Sequence, residues 1–448
     1  MTGSGSPGEV HSATLPSVTA TVVGGGLAGC EAAWALAERG IPVRLHEMRP
    51  LARTAAHQTD RLAELVCSNS FKSTELHNAH GLLKAELSRL GSLLLREAEE
   101  VRVPAGSALA VDRDLFATRI QASVSAHRLI SVERGEVTEL PAAGVIATGP
   151  LTSPRLADAI ARRLGTGALA FYDAIAPIVS RESLDMQRLY ALSRYGKGQG
   201  DDYLNAPLDR DEYERFLSAL LEADQHTAHA FDEAPYFEGC LPVEEMARRG
   251  PDTLRFGPMK PVGLPSPVTG REPYAVVQFR REDRAGQMWN LVGFQTRLRL
   301  GEQQRVFRMI PGLERAEFLR FGSIHRNSYI NTPAALGPGL TARDGPGLFF
   351  AGQLTGVEGY TESIATGLLA GINFARHLRG RASAIPPSTT MLGGLYRYLG
   401  EAAPEHFQPM NANFGLLDPL PEGVRKSDRK AALVERARAE FDTWASTL

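Results

Sequence analysis

Cysteine is scarce, with three in 448 residues, at positions 30, 67 and 240. That excludes a disulfide scaffold and points to a reducing compartment, so a cytoplasmic protein is expected. No C-x-x-C pair occurs, which speaks against a structural zinc. His77-x-x-His80 has metal-like spacing, but no third ligand accompanies it, and no metal is expected. There is no run of eighteen apolar residues, so no membrane-spanning segment is expected. Residues 1–17, MTGSGSPGEVHSATLPS, have neither a basic n-region nor an apolar h-region and read as a loose extension rather than a secretory signal. Internal repeats are missing. So is any large charge imbalance, the net charge being −2. Lysine is nearly missing too: 43 of the 49 basic residues are arginine. Between Arg271 and Arg326 eleven arginines face six acids. Arginine offers a planar fork of donors suited to phosphate, so this stretch is a candidate anion-binding surface as well as a candidate solvated face.

What is present is a chain that is 43% apolar and 22% charged, long enough for two or three domains. TATVV at 19–23 reads as a buried strand. A glycine-rich turn and a helix follow, with Gly40 as C-cap, and then a second strand, IPVRLHE. Residues 78–100 read as one long helix, its leucines at 83, 87, 90 and 94 recurring every three or four residues. GVIAT at 144–148 predicts another strand and 154–164 a helix. From 166 to 327 the style changes. Strand-like runs (YAVVQF, WNLVGF) mix with a polar helix near 209–224 and proline-rich turns at 258–267. GLFFAGQ at 347–353 returns to the opening style, and 424–445 predicts a closing amphipathic helix. The expected fold is α/β, a Rossmann-like FAD-binding domain of the glutathione-reductase type. It is discontinuous, over 18–165 and 328–448, with an inserted α+β domain at 166–327.

Gly24-x-Gly26-x-x-Gly29 follows a strand and opens a helix. The first glycine allows the tight turn, the second lets the backbone approach a pyrophosphate, and the third lets helix and strand pack closely. Glu47 ends the second strand, where an acid can bind ribose hydroxyls and favours FAD or NAD over NADP. Ala147-Thr148-Gly149 at a strand end, and Gly352-Gln353 before a helix of small residues, favour a flavin. The predicted dinucleotide contacts are Gly24, Gly25, Gly26, Leu27, Ala28, Gly29, Glu47, Thr148, Gly149, Gly352, Gln353 and Gly359.

Cys30, on the first helix, reads as core. Cys67, in LVCSNS, falls on a predicted loop near the strand ends. Cys240, in FEGCLPVEEM, precedes a helix start at Pro242, where the helix dipole favours a thiolate and two glutamates oppose it. From the residues alone, a reactive and a structural role stay open for Cys67 and Cys240.

Taken together, VVGGGLAGCEAAW, LAELVCSNSFKS, FEGCLPVEEMARRGPDTLRFGPMKPVGL, NLVGFQT, IHRNSYINTP and AGQLTGVEGYTESIATG closely resemble one family. It is that of the folate- and FAD-dependent tRNA uracil-5-methyltransferases (TrmFO), relatives of the larger GidA flavoproteins, whose long C-terminal helical region this chain is too short to hold. The resemblance spans residues 19–445. It implies FAD as cofactor, 5,10-methylenetetrahydrofolate as methylene donor and NADH or NADPH as reductant. The product would be 5-methyluridine at the T-loop uridine (position 54) of tRNA. By motif position Cys240 would be the nucleophile at uracil C6 and Cys67 the second thiol, as base or protecting group, with their order open. Arg280, Arg281 and Arg284, expected together at a hairpin tip, would touch tRNA phosphate. The alternatives are a GidA-like modification of the wobble uridine, an NAD(P)H:FAD thiol oxidoreductase, and a non-catalytic tRNA-binding flavoprotein.

Overall fold

The structure is a computed structural model. It describes residues 18–448 apart from 55, 166–168, 227–240 and 346, and leaves the side chains of 169–173, 325 and 326 undescribed. Cys240 therefore lies outside the described residues.

Two sheets organise the chain. The first opens with strand β1 (Ala20–Val23), helix α1 (Leu27–Ala37) and strand β2 (Val43–Glu47). β1 is central. It pairs in parallel with β2 on one side (Ala20 beside Val43) and with Gly144–Ile146 on the other. Ile130–Arg134 extends the parallel array beyond β2, and Leu348–Phe350 extends it beyond Gly144–Ile146. Two short strands, Leu336–Gly337 and Thr341–Ala342, finish that edge antiparallel. Helices cover the sheet, so its strands read as apolar runs rather than alternating ones: Val22, Val145, Ile146 and Phe350 are all fully buried.

The second sheet is built wholly from residues between 178 and 320. Its six strands are Tyr190–Ala191, Tyr203–Leu208, Ala275–Arg281, Met288–Leu291, Ile178–Ser180 and Phe318–Arg320, in that order, and all its pairings are antiparallel. It has its own core, with Phe216, Leu220, Val277, Phe279, Phe294 and Phe307 at the centre. An antiparallel ribbon, Leu169–Ile175 with Ser323–Tyr329, carries the chain out of the first sheet's half and back.

The helix Arg210–Glu222 starts on a capping box: Asp209 Oδ1 accepts from Glu212 N and Glu212 Oε2 from Asp209 N. The expected single helix over 78–100 is instead two, Ala79–Arg89 and Leu93–Glu100. Gly91 adopts φ +79°, which ends the first helix, and the Ser92 side chain caps the second through Leu95 N. The leucine periodicity hid the break because Leu83, Leu87 and Leu94 enter one core on either side of it.

Buried glutamates from neighbouring helices also cap helix starts. Glu31 of α1 accepts from Leu93 N and Leu94 N at 3.0 Å each. Glu86 accepts from Met391 N and Leu392 N at 2.8 Å each, at the start of Met391–Glu401. Each carboxylate satisfies two N–H groups that their own helix leaves unpaired.

Candidate active site

The turn after β1 is set by steric need. A side chain on Gly24, at φ +106°, would collide with the carbonyl of Ala147, and one on Gly29 with the carbonyl of Gly24. A Cβ on Gly26 would meet nothing within 4 Å. The chain is thus closed around the first and third glycines and open at the second, where α1 begins with no side-chain cap. That opening gives onto a cleft at the C-terminal ends of the parallel strands. Gly24, Gly25, Gly26, Leu27, Ala28 and Glu47 line it from the β1 side. Thr148, Gly149, Gly352 and Gln353 line it from the two strands beyond. Gly29 packs behind the turn rather than facing the cleft.

Glu47 is almost wholly buried. Its Oε2 accepts from Gly25 N at 3.0 Å, and its Oε1 from Arg49 N at 2.9 Å and Arg49 Nε at 2.8 Å. Burial pushes its carboxyl up, but the hydrogen bonds and charge of Arg49 outweigh this and hold it below the usual carboxylate range. Arg49 in turn donates to Glu64 Oε2 at 2.9 Å. The acid expected to meet a ribose is therefore held in place by a buried arginine shared between two glutamates, a support the sequence reading missed.

A second cleft adjoins the first, and Val66, Pro150, Leu151, Gln353 and Tyr360 line both. Cys67 lines it, half-buried on a loop. Gly359 also faces this second cleft, at φ +112°, and caps the helix Tyr360–Leu378. That helix lies against α1 backbone to backbone: side chains on Gly367 or Gly371 would collide with the carbonyl of Ala28 or run into that of Ala32. The Cys67 loop is gripped through its backbone. Cys67 N donates to the Tyr360 hydroxyl at 2.9 Å, Arg113 Nη2 donates to Cys67 O at 2.9 Å and Nη1 to Leu65 O at 2.7 Å, and Arg320 donates to Val66 O at 2.7 Å. Glu362, in the first turn of the long helix, accepts from Ala412 N and sits 3.1 Å from His80 Nδ1. Burial raises its carboxyl, yet His80 and Lys72 hold it below the ordinary range.

The three arginines expected at a shared tip are separated. The hairpin exists, Ala275–Arg281 pairing with Met288–Leu291. Strand alternation, however, turns Arg280 into the second cleft, where it is 9% exposed and donates from Nε to Asn69 Oδ1 at 2.9 Å. Arg281, on the other face, lies over the Trp289 ring. Arg284 is exposed, but its backbone N–H binds Asp112 and its guanidinium the carbonyl of Glu100, so the turn docks on the first half of the chain. Glu282 pairs with Arg113 rather than with these arginines. Cys30 is buried in the core of α1, and burial pushes its thiol far up. Among the described residues no three His, Cys, Asp or Glu side chains converge as a metal site, and no helix is long and apolar enough to cross a membrane.

A family model described as "Glucose inhibited division protein A", GIDA, matches residues 19–382. A protein of Geobacter sulfurreducens called methylenetetrahydrofolate--tRNA-(uracil-5-)-methyltransferase TrmFO is 57% identical over 430 residues, covering 96% of this chain and 99% of its own. The chain belongs to the GidA family, in its TrmFO branch. TrmFO proteins of Symbiobacterium thermophilum and Thermus thermophilus are similar to it at 56% and 54% identity, over 96% and 95% of the chain. Among solved structures, Aquifex aeolicus GidA superposes with a TM-score of 0.69 at 17% identity, over 95% of this chain and 73% of that one, which shows the shared fold. Tyr360, Asn290 and Asn327 all lie in motifs that carried the resemblance to TrmFO, yet no role was read for them, because only folding brings them to the cleft.

Proposed function

We propose that this chain transfers a one-carbon unit from methylenetetrahydrofolate to C5 of a tRNA uracil and holds FAD to do so. The observation that carries the reading is Cys67 lining a cleft continuous with a dinucleotide cleft, in a chain of the TrmFO branch.

The residues present fit FAD. Gly26 leaves a cradle that a single Cβ would begin to fill, the N-terminus of α1 offers unpaired N–H groups to a pyrophosphate, and Glu47 stands ionised at the ribose end. Bound there, FAD would supply the reducing equivalents that turn the transferred carbon into a methyl group. The chain's own groups do the rest. A thiolate adds to C6 and makes C5 nucleophilic, a role we assign to Cys240 on its motif. To Cys67 we assign the second role, taking the C5 proton or shielding the site. Arg113, Arg320 and Tyr360 fix the loop that carries it. NADH or NADPH is the proposed reductant, the T-loop uridine (position 54) the proposed target and the cytoplasm the proposed location.

The test is to incubate the holoenzyme with unmodified tRNA, labelled methylenetetrahydrofolate and NADPH, then digest and map the nucleosides. Labelled 5-methyluridine in the T loop is expected. Label at the wobble uridine, or flavin turnover with none in tRNA, overturns the reading.

A further inference from the structure

Three largely buried polar side chains in the second cleft have no partner among the described residues for the groups they turn toward it. Arg280 spends its Nε on Asn69, which is itself fixed by Asn69 Nδ2 donating to Val111 O and Arg281 O at 2.9 Å each. Its two Nη nitrogens have no hydrogen-bond partner among the described residues. Asn290 sits directly opposite Arg280 across the strand pair, on the same face, and Asn327 comes from the ribbon; they are 4% and 3% exposed, and neither side-chain amide has a partner there. These side-chain atoms are reached by solvent in the cleft, so a ligand with a matching pattern of donors and acceptors can take them over from water.

The cluster offers the forked donors of Arg280 and two amides that can each donate and accept. That set suits a lactam edge, a ring carbonyl next to a ring N–H. Uracil and the pterin ring of a folate both have one. Charge separates them. When a thiolate adds to C6 of uracil, the sulfur–C6 bond forms and the C5=C6 π pair moves through C4 onto O4, which becomes an enolate oxygen. The pterin edge gains no such charge in the reaction. A fixed guanidinium in a cleft that also holds Cys67 stabilises an anion that forms there.

Resting on the tRNA-uracil reading above, we propose that Arg280, Asn290 and Asn327 form the uracil-reading edge of this cleft, with Arg280 binding O4 and stabilising the enolate. Arg280 is then a catalytic residue rather than a phosphate contact, and Asn69 is the positioning residue that aims it.

The test uses a step that needs no folate. Addition at C6 lets C5 exchange its hydrogen with solvent, so holoenzyme and tRNA carrying 5-tritiated uridine should release tritium into water. Arg280→Met should keep its flavin and bind tRNA within about twofold of wild type, while release falls roughly 100-fold or more, the scale seen when one oxyanion donor is removed. Arg280→Lys should recover part of the rate. Asn290→Ala and Asn327→Ala should slow release less, with flavin intact. Normal tritium release in Arg280→Met together with lost methylation would give the edge to the folate and overturn the proposal. Weakened tRNA binding with a flatter salt slope, and full release at saturating tRNA, would make Arg280 a phosphate contact and overturn it equally. If wild type neither releases tritium nor forms 5-methyluridine, the underlying function fails and this inference with it. Active wild type with an unimpaired Arg280→Met sinks the inference alone.

Discussion

Arg113 Nε lies 2.6 Å from Glu282 Oε2, joining the start of a helix in the first half of the chain to the hairpin of the second sheet. Glu282 is 1% exposed. Burial opposes the charge on Arg113, but the nearby carboxylate keeps its guanidinium well above the usual arginine range. The same guanidinium holds the carbonyls of Leu65 and Cys67. One cation thus fixes both the relation of the two sheets and the loop that presents a thiol.

Removing that cation leaves a carboxylate buried without its partner. Arg113→Met is expected to destabilise the fold by about 3–5 kcal/mol, which denaturant midpoints would measure. The double variant Arg113→Met with Glu282→Leu should regain most of the stability, because neither charge is then stranded. It should not regain methylation, since the carbonyls of Leu65 and Cys67 still lack their donor. Equal recovery of stability and activity would show that the pair is structural only.

Gly26 gives a cleaner test of the dinucleotide cleft. Its Cβ has free space, so Gly26→Val should leave the turn folded, unlike a substitution at Gly24 or Gly29, where backbone carbonyls stand in the way. The valine would occupy the place of a pyrophosphate. The expected result is a folded, colourless protein. A yellow Gly26→Val protein with a full flavin complement would refute the assignment.

The sequence is legible where local chemistry decides the structure. The glycine turn, the parallel strands and the helix over 154–164 all follow from short-range pattern. Gly91 shows the limit: a break between two helices that feed one core keeps the apolar period, and only the backbone angle reveals it. Arg280 shows another. An arginine excess reads as surface, yet strand alternation turns one arginine of a neighbouring pair inward, and the partner that aims it, Asn69, is 211 residues away in sequence. Asn290 and Asn327 lie in quoted motifs but gain meaning only from the cleft they share. The grip on the Cys67 loop by Arg113, Arg320 and Tyr360 is likewise made of contacts with no local signature.

The two buried capping glutamates predict a pH dependence. Burial pushes the Glu86 carboxyl up to about 8 and that of Glu31 up to about 7, against the pull of the N–H groups they accept from. Between the unfolded value of 4.5 and these values the folded chain holds protons that the unfolded chain releases. Their contribution to stability is therefore full below about pH 4.5 and fades as pH rises toward 7 and 8. Glu86→Gln removes one of these titrations, so its stability should fall less than that of wild type between pH 5 and 8 in melting experiments. Glu86→Ala should cost roughly 1–3 kcal/mol for each of the orphaned Met391 and Leu392 N–H groups. Parallel pH profiles for wild type and Glu86→Gln would contradict the burial argument.

The division of labour between the two thiols is the sharpest remaining prediction. Cys67 lies on a loop held by four backbone hydrogen bonds, so Cys67→Ala should leave the cleft and its flavin in place. Cys240→Ala should also keep flavin, because the described lining of the dinucleotide cleft comes from other segments. The two should differ in what survives. If Cys240 attacks C6, Cys240→Ala loses both 5-methyluridine formation and the covalent adduct with tRNA carrying 5-fluorouridine, since that adduct needs the thioether. Cys67→Ala should still add to C6 and form that adduct, while release of tritium from 5-tritiated uridine, which needs a base at C5, falls if Cys67 is that base. Denaturing gels report the adduct and scintillation counting reports the exchange. An adduct that persists in Cys240→Ala and vanishes in Cys67→Ala would exchange the two roles. Then the nucleophile would be the thiol whose loop is clamped by Arg113, and the enolate would form beside the arginine that Asn69 aims into the cleft.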